Sequence, residues 1–212
     1  MKNRLEGSDR PVLGNLYDKY GSRNPIYRRL MGGFLKDARD LASRASPSRI
    51  LEVGSGPGDL ALRLRQIPPL REPRYVATDL GLGEVLKGSS LPSLSGLRFA
   101  VSAAERLPFP PGSFDLVVAC EVLEHLEDPS QALEEISHVC HGHLLASVPW
   151  EPVWRILNLA RGAYLSRWGN TPGHLQHFSR RGFRRLLQHR FQIVEERRPF
   201  PWTMILARRR DG

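Results

Sequence analysis

Cysteine and lysine are scarce in this 212-residue chain, and long apolar runs are missing from it. Its two cysteines, Cys120 and Cys140, cannot build a disulfide scaffold; reduced thiols in a cytoplasmic protein are expected. No stretch approaches the roughly 20 apolar residues of a spanning helix, which excludes an integral helical membrane protein. The opening residues, MKNRLEGSDRP, have no apolar core behind their charges, so no secretory signal is expected. Glycine and proline, at 19 and 17, are too few for a low-complexity or fibrous chain. With 41% hydrophobic and 25% charged residues, the chain has enough material for one α/β domain and too little for two comfortable ones.

The charge that is present is unevenly spread. The net charge is +9, carried by 27 arginines and only 4 lysines. Residues 1–49 carry +6, residues 100–149 carry −7, and residues 150–212 carry +9. An acidic centre therefore sits inside a basic chain. A basic face attracts phosphates of nucleic acid or of an anionic membrane. The arginine excess fits simple surface solvation equally well.

Hydrophobic spacing divides the chain into alternating elements. Asn24-Pro25 reads as an N-cap and first helical residue, with Ile26, Leu30, Met31, Phe34, Ala38, Leu41 and Ala42 at helical spacing behind it. That helix ends near Ser46-Pro47. Strands are expected at Arg49–Val53, Arg74–Asp79, Leu97–Val101, Phe114–Cys120, His143–Val148, Phe191–Glu195 and Thr203–Ala207. Helices are expected at Asp59–Gln66, closed by Pro68-Pro69, at Pro129–Val139, at 152–166 and at 180–189, the last capped by Ser179. The segment between Asp79 and Leu97 has room for a short helix only. Alternating strands and helices imply a parallel sheet covered by helices.

One loop carries a chemical signal. Glu52-Val53-Gly54-Ser55-Gly56-Pro57-Gly58 joins a strand to a helix, and its glycines let backbone approach a ligand closely. Asp79 ends the next strand, where a carboxylate can accept both hydroxyls of a ribose. Further along come Ala104-Glu105-Arg106-Leu107-Pro108-Phe109, Ser113-Phe114-Asp115 and Val122-Leu123-Glu124-His125-Leu126.

Taken in order and at these distances, the motifs resemble the class I S-adenosylmethionine-dependent methyltransferases. The nearest group is the broad one that holds the methyltransferase type 11 and ubiquinone-biosynthesis O-methyltransferase-like proteins. The resemblance covers residues 49–149. It implies a Rossmann-like seven-stranded sheet of order 3-2-1-4-5-7-6, flanked by helices, with the last strand antiparallel. The expected organisation is a single domain over 1–212. It comprises a helical cap (1–48), the cofactor core (49–149), a lid or insertion (150–178), and a closing helix and strands (179–212).

The resemblance also implies roles for individual residues. Gly54, Ser55 and Gly56 would pack under the methionine part of S-adenosylmethionine, with Glu52 orienting their loop. Asp79 would hold the ribose and Leu80 would lie against the adenine. Ala103 and Ala104 would meet the adenine edge, and Ala119, Cys120 and Glu121 would lie near the reacting methyl. Such proteins usually carry Asp where this chain has Ala103, so one adenine contact is lost or passes to a neighbour such as Ser102. A catalytically silent, methyltransferase-like partner protein is therefore a competing reading.

Glu121-Val122-Leu123-Glu124-His125 has the form ExxEH at a strand end. On a helix the three polar side chains would face one way. Two carboxylates and an imidazole suit Mg²⁺, Mn²⁺ or Zn²⁺. The form resembles metal motifs of ubiquinone-pathway O-methyltransferases and of small-RNA 2′-O-methyltransferases. In the latter a further histidine comes from a later loop, here His174, with His177 as reserve. The expected ligand set is Glu121, Glu124, His125 and His174. Without a metal, Glu124 and His125 would cap and brace the loop, and Glu121, His125 and His174 are the expected catalytic groups.

Between Trp150 and Trp168, the residues Trp150, Val153, Trp154, Leu157, Ala160, Tyr164 and Trp168 mark one helical face, and Arg155, Asn158 and Arg161 the other. A lid over the site and an interfacial helix on an anionic membrane are both consistent with this pattern. Tyr17 and Tyr20 are expected near the cofactor mouth. The expected reaction is O-methylation of a small-molecule or lipid-like hydroxyl, in a cytoplasmic protein with peripheral membrane contact through 150–168. RNA ribose 2′-O-methylation is the alternative, with nucleic acid the weaker partner; Trp202 beside the Arg208-Arg209-Arg210 tail is its only aromatic platform.

Overall fold

The computed structural model describes residues 24–89, 97–160, 162 and 164–210. Tyr17, Tyr20 and Arg161 lie outside the described residues. Helix α1 (Pro25–Arg44) starts as its sequence dictates: the Asn24 side chain accepts from the amides of Ile26 and Tyr27 at 2.9 and 3.3 Å. Its buried stripe is Met31, Phe34, Ala38, Leu41 and Ala42.

Seven strands follow in one sheet: β1 (Arg49–Val53), β2 (Arg74–Asp79), β3 (Leu97–Val101), β4 (Phe114–Cys120), β5 (Cys140–Pro149), β6 (Phe191–Arg197) and β7 (Trp202–Arg209). Their order is β3-β2-β1-β4-β5-β7-β6, as the sequence resemblance implied. Strands β1 to β5 pair in parallel, and β7 runs antiparallel between β5 and β6. Helices α2 (Asp59–Leu64), α3 (Leu82–Ser89), α4 (Pro129–Val139), α5 (Val153–Ala160) and α6 (Arg180–Gln188) complete the chain. Caps on α4 and α6 match their sequence signals: Asp128 accepts from Ser130 and Gln131, and Ser179 accepts from Gly182.

Two apolar layers cover the sheet. On one face α1 and α2 pack Phe34, Leu41, Leu60 and Leu64 with Tyr75, Leu116, Met204 and Trp202. On the other, α4 and α6 pack Leu133, Ile136, Phe183 and Leu187 with Leu51, Val117, Leu144 and Ile205. The crossovers run outward in opposite directions from β1 and β4, so the carboxyl ends of these neighbours form the switch-point crevice where α/β sheets take ligands.

Several boundaries differ from the sequence expectation. β5 is longer than His143–Val148 because β7 pairs with it from His143 through Pro149. α2 stops at Leu64, and Pro68-Pro69-Leu70 starts a short 3₁₀ turn instead of merely closing the helix. The expected helix over 152–166 is only α5. Gly162 takes a left-handed conformation and its amide returns to the Leu159 carbonyl, a backbone arrangement that ends helices. The faces of α5 differ too: Asn158 is buried, while Trp168, expected on the inner face, is exposed.

Candidate active site

The glycine loop leaves β1 at Val53 and enters α2 at Asp59. Gly54 has φ +66°, and a Cβ there would lie 2.5 Å from Val122 Cγ2. Only glycine lets this loop pass so close to the turn that follows β4. The Ser55 amide donates to the Thr78 carbonyl at 2.9 Å, and the Ser55 hydroxyl donates to the Gly56 carbonyl at 3.2 Å.

Asp79 ties three loops together. Its carboxylate accepts from the Gly56 and Gly81 amides, each at 2.8 Å. Its carbonyl accepts from the Ser102 amide at 3.0 Å. The loops after β1, β2 and β3 therefore meet at one carboxylate. Leu80, next to it, is half exposed. Ala104 is buried, and Ala103 makes an isolated bridge to Arg106. The Ser102 hydroxyl is directed at the carbonyls of Ala103 and Arg106, 3.1 Å from each.

Below the loop lies Glu52, almost wholly buried. Tyr75 donates its hydroxyl to Glu52 Oε2 at 2.7 Å, and Thr78 donates to the Glu52 carbonyl. Burial pushes the carboxyl pKa up to about 8; the Tyr75 hydrogen bond opposes this, and the nearby Asp59 and Asp79 charges add to it. Glu52 supports the loop from beneath.

The turn after β4 departs from the expected helix. Glu121 has a left-handed backbone at φ +60°, and only a single 3₁₀ turn, Leu123–His125, follows. Glu121 is consequently not carried on one helix with its two motif partners. Its carboxylate accepts from Trp202 Nε1 at 2.7 Å and from the Ser147 hydroxyl at 3.2 Å. This corrects the expected ligand set: among the described residues, the donors brought together are Glu124, His125 and His174, with their ligand atoms within 4.8 Å of one another. Cys120, before Glu121, is a free thiol that burial holds protonated. His177 is directed instead to Asn170 Oδ1 at 2.9 Å.

The histidine loop is sewn onto this turn. The amides of Leu175 and Gln176 both donate to the Glu124 carbonyl, at 2.8 and 3.0 Å. The Gln176 amide group reaches the carbonyls of Leu126 and Glu127. His125 Nδ1 lies 2.9 Å from the Gly173 carbonyl. A carbonyl only accepts, so Nδ1 carries the proton and Nε2 carries the lone pair. The two imidazoles meet edge to face at 4.9 Å, and Trp154 stacks on His174 at 6.5 Å.

Sequence reading missed three members of this wall. Thr171 accepts from Trp154 Nε1 and from the buried Asn158 side chain, fixing the loop to α5. Trp202 is buried, packs on Phe34 and Trp154, and donates to Glu121. It is therefore a structural wall and not a platform for RNA bases. A polar Asn158 among apolar residues was the one available signal.

Residues 27–196 match the family model described as a methyltransferase domain. The ubiquinone/menaquinone biosynthesis C-methyltransferase UbiE of Rickettsia bellii is 31% identical over 134 residues, covering 60% of this chain and 54% of that protein. The chain thus spans about half the length of the curated relatives it matches. Among solved structures, a SAM-dependent methyltransferase from Aquifex aeolicus aligns with TM-score 0.68 at 15% identity, covering 88% of this chain and 94% of that one. Magnesium protoporphyrin IX methyltransferase from Synechocystis PCC 6803, with bound SAH, aligns with TM-score 0.65 at 17% identity, covering 90% of each. At such identities the likeness is one of fold.

Proposed function

Because the chain belongs to the methyltransferase-domain family of class I S-adenosylmethionine-dependent enzymes, we propose that it methylates a hydroxyl of a lipid-like acceptor. The convergence of Glu124, His125 and His174 within 4.8 Å at the carboxyl end of β4 carries this reading. The glycine loop and Asp79 hold the cofactor on one side of the crevice. The acceptor enters from the histidine side. An imidazole of the His125 and His174 pair takes the hydroxyl proton. The oxygen attacks the sulfonium methyl in line, the carbon–sulfur bond breaks, and S-adenosylhomocysteine leaves neutral at sulfur. Alignment of the oxygen with the methyl supplies much of the acceleration.

One carboxylate and two imidazoles also suit a divalent cation such as Zn²⁺ or Mn²⁺. The His125 Nδ1 contact with the Gly173 carbonyl supports this, because ligating histidines commonly donate their other nitrogen to a carbonyl. Bound there by Glu124, His125 and His174, a cation would lower the pKa of the acceptor hydroxyl.

Likeness to a C-methyltransferase of quinone biosynthesis favours a second reading, in which a ring carbon beside the ionised hydroxyl attacks. Turnover with methyl-labelled S-adenosylmethionine and long-chain phenols and quinols separates the two, since the shift of the new methyl distinguishes oxygen from carbon. Loss of turnover with EDTA and its return with one metal would support the cation. Failure to bind S-adenosylhomocysteine at millimolar concentration would overturn the enzyme reading in favour of a silent partner.

A further inference from the structure

We infer that α5 and the loop behind it form a docking face for an anionic phospholipid bilayer. The helix is apolar on both sides: Trp154 packs inward on Trp202 and His174, and the outward side carries apolar residues as well. Its polar Asn158 is buried, while Ile156 is 58% exposed and Leu159 is partly exposed. Beyond the helix, Leu165 is 62% and Trp168 76% exposed, and Leu175 is more than half exposed. These apolar side chains lie within 20 residues of sequence, on the element that starts where β5 ends.

The exposure of Trp168 is built in. Arg155 Nε donates to the Trp168 carbonyl at 3.2 Å, and Asn158 donates to the Gly169 carbonyl at 2.8 Å. Backbone at the indole and one residue beyond it is thereby tied to α5 while the ring is exposed. The buried asparagine is spent on holding this loop.

Charge identifies the occupant. From Pro152 through Val194 there is no carboxylate side chain, but there are eight arginines. Arg155 and Arg167 flank the exposed apolar residues, and Arg180 and Arg181 start α6 beyond the histidine loop. Arg180 stacks over Trp150, 3.4 Å from its ring centroid, at the same end of β5. Exposed aromatic and aliphatic side chains beside arginines, with the nearby acids Glu124 and Glu151 buried, match the boundary between headgroups and acyl chains of an anionic membrane. The same loop supplies His174, so an acceptor dissolved in the bilayer would meet the crevice at the point of contact.

Co-sedimentation of the full chain with vesicles of phosphatidylcholine alone, or mixed with phosphatidylglycerol, tests this. Binding to the mixed vesicles should exceed binding to phosphatidylcholine by about tenfold and weaken with salt. The double variant Leu165→Ser/Trp168→Ser should lose most of it, and Arg167→Glu should lose about tenfold. S-adenosylhomocysteine affinity, measured on the same samples, should not change; its failure would speak against the proposed reaction and not against the docking face. Wild-type protein left in the supernatant of mixed vesicles would overturn the inference. So would a double variant that binds as wild type. A dimer in the absence of vesicles, or tight single-stranded RNA binding, either one abolished by the double variant, would replace the bilayer with a second copy or a nucleic acid.

Discussion

Around the cofactor crevice, backbone does most of the holding: Asp79 takes the amides of Gly56 and Gly81, Gly54 slides under Val122, and Ser102 returns its amide to Asp79. Across from it, on the histidine side, side chains from distant parts of the chain converge. Glu124 and His125 meet His174, and Trp154 and Trp202 close the wall behind them. The first arrangement tolerates many sequences that keep a few glycines and one acid. The second depends on particular side chains, as the proposed acceptor side would.

Substitutions can separate these two halves. The largest effect is expected on the histidine side. His174→Ala or His125→Ala should lower kcat by about 10²–10⁴ while S-adenosylhomocysteine affinity stays within about twofold, read by turnover and calorimetry. On the other side, Asp79→Ala should weaken S-adenosylhomocysteine by about tenfold to a hundredfold, since hydrogen bonds to a charged group contribute roughly 1.5–3 kcal/mol. Residual turnover at saturating cofactor should change little.

Glu52 gives a pH test of the support beneath the loop. Its folded pKa of about 8 lies above the ordinary 4.5, so the folded state binds the proton more tightly. Stability is then full below the ordinary value and falls as pH rises toward 8. Between about pH 6 and pH 8 the wild type should lose about 2–3 kcal/mol to this group, and Glu52→Gln should not; urea unfolding at both pH values reads the difference. The smallest change is expected from Ala103→Asp. If the adenine edge lies there, restoring the carboxylate should tighten S-adenosylhomocysteine by up to about tenfold. Unchanged affinity would place the adenine elsewhere.

Legibility in the sequence followed the same division. The strand order came from the family resemblance, and the strand positions from short local patterns, in which neighbours in sequence are neighbours in space. The ligand set did not, because the ExxEH spacing was read on a helical period. Glu121 adopts a left-handed backbone instead, and a 3₁₀ turn replaces the helix, so its carboxylate goes to Trp202, 81 residues away. Asn158 and Trp168 were misassigned for a related reason, although Trp154 packs inward as expected. Hydrophobic periodicity assumes that the apolar side is the buried one, and here Asn158 is drawn inward to bind the loop that holds Trp168. No periodicity in the sequence encodes that inversion.

The two amides that Leu175 and Gln176 give to the Glu124 carbonyl close a loop of about 50 residues. Local opening of such a closure would part the histidine loop from the turn after β4 while β1 and β4 stay paired. His174 would then leave Glu124 and His125 with the contact between Gly56 and Asp79 undisturbed. Hydrogen exchange at Leu175 and Gln176, faster than at Ser55, would report that opening.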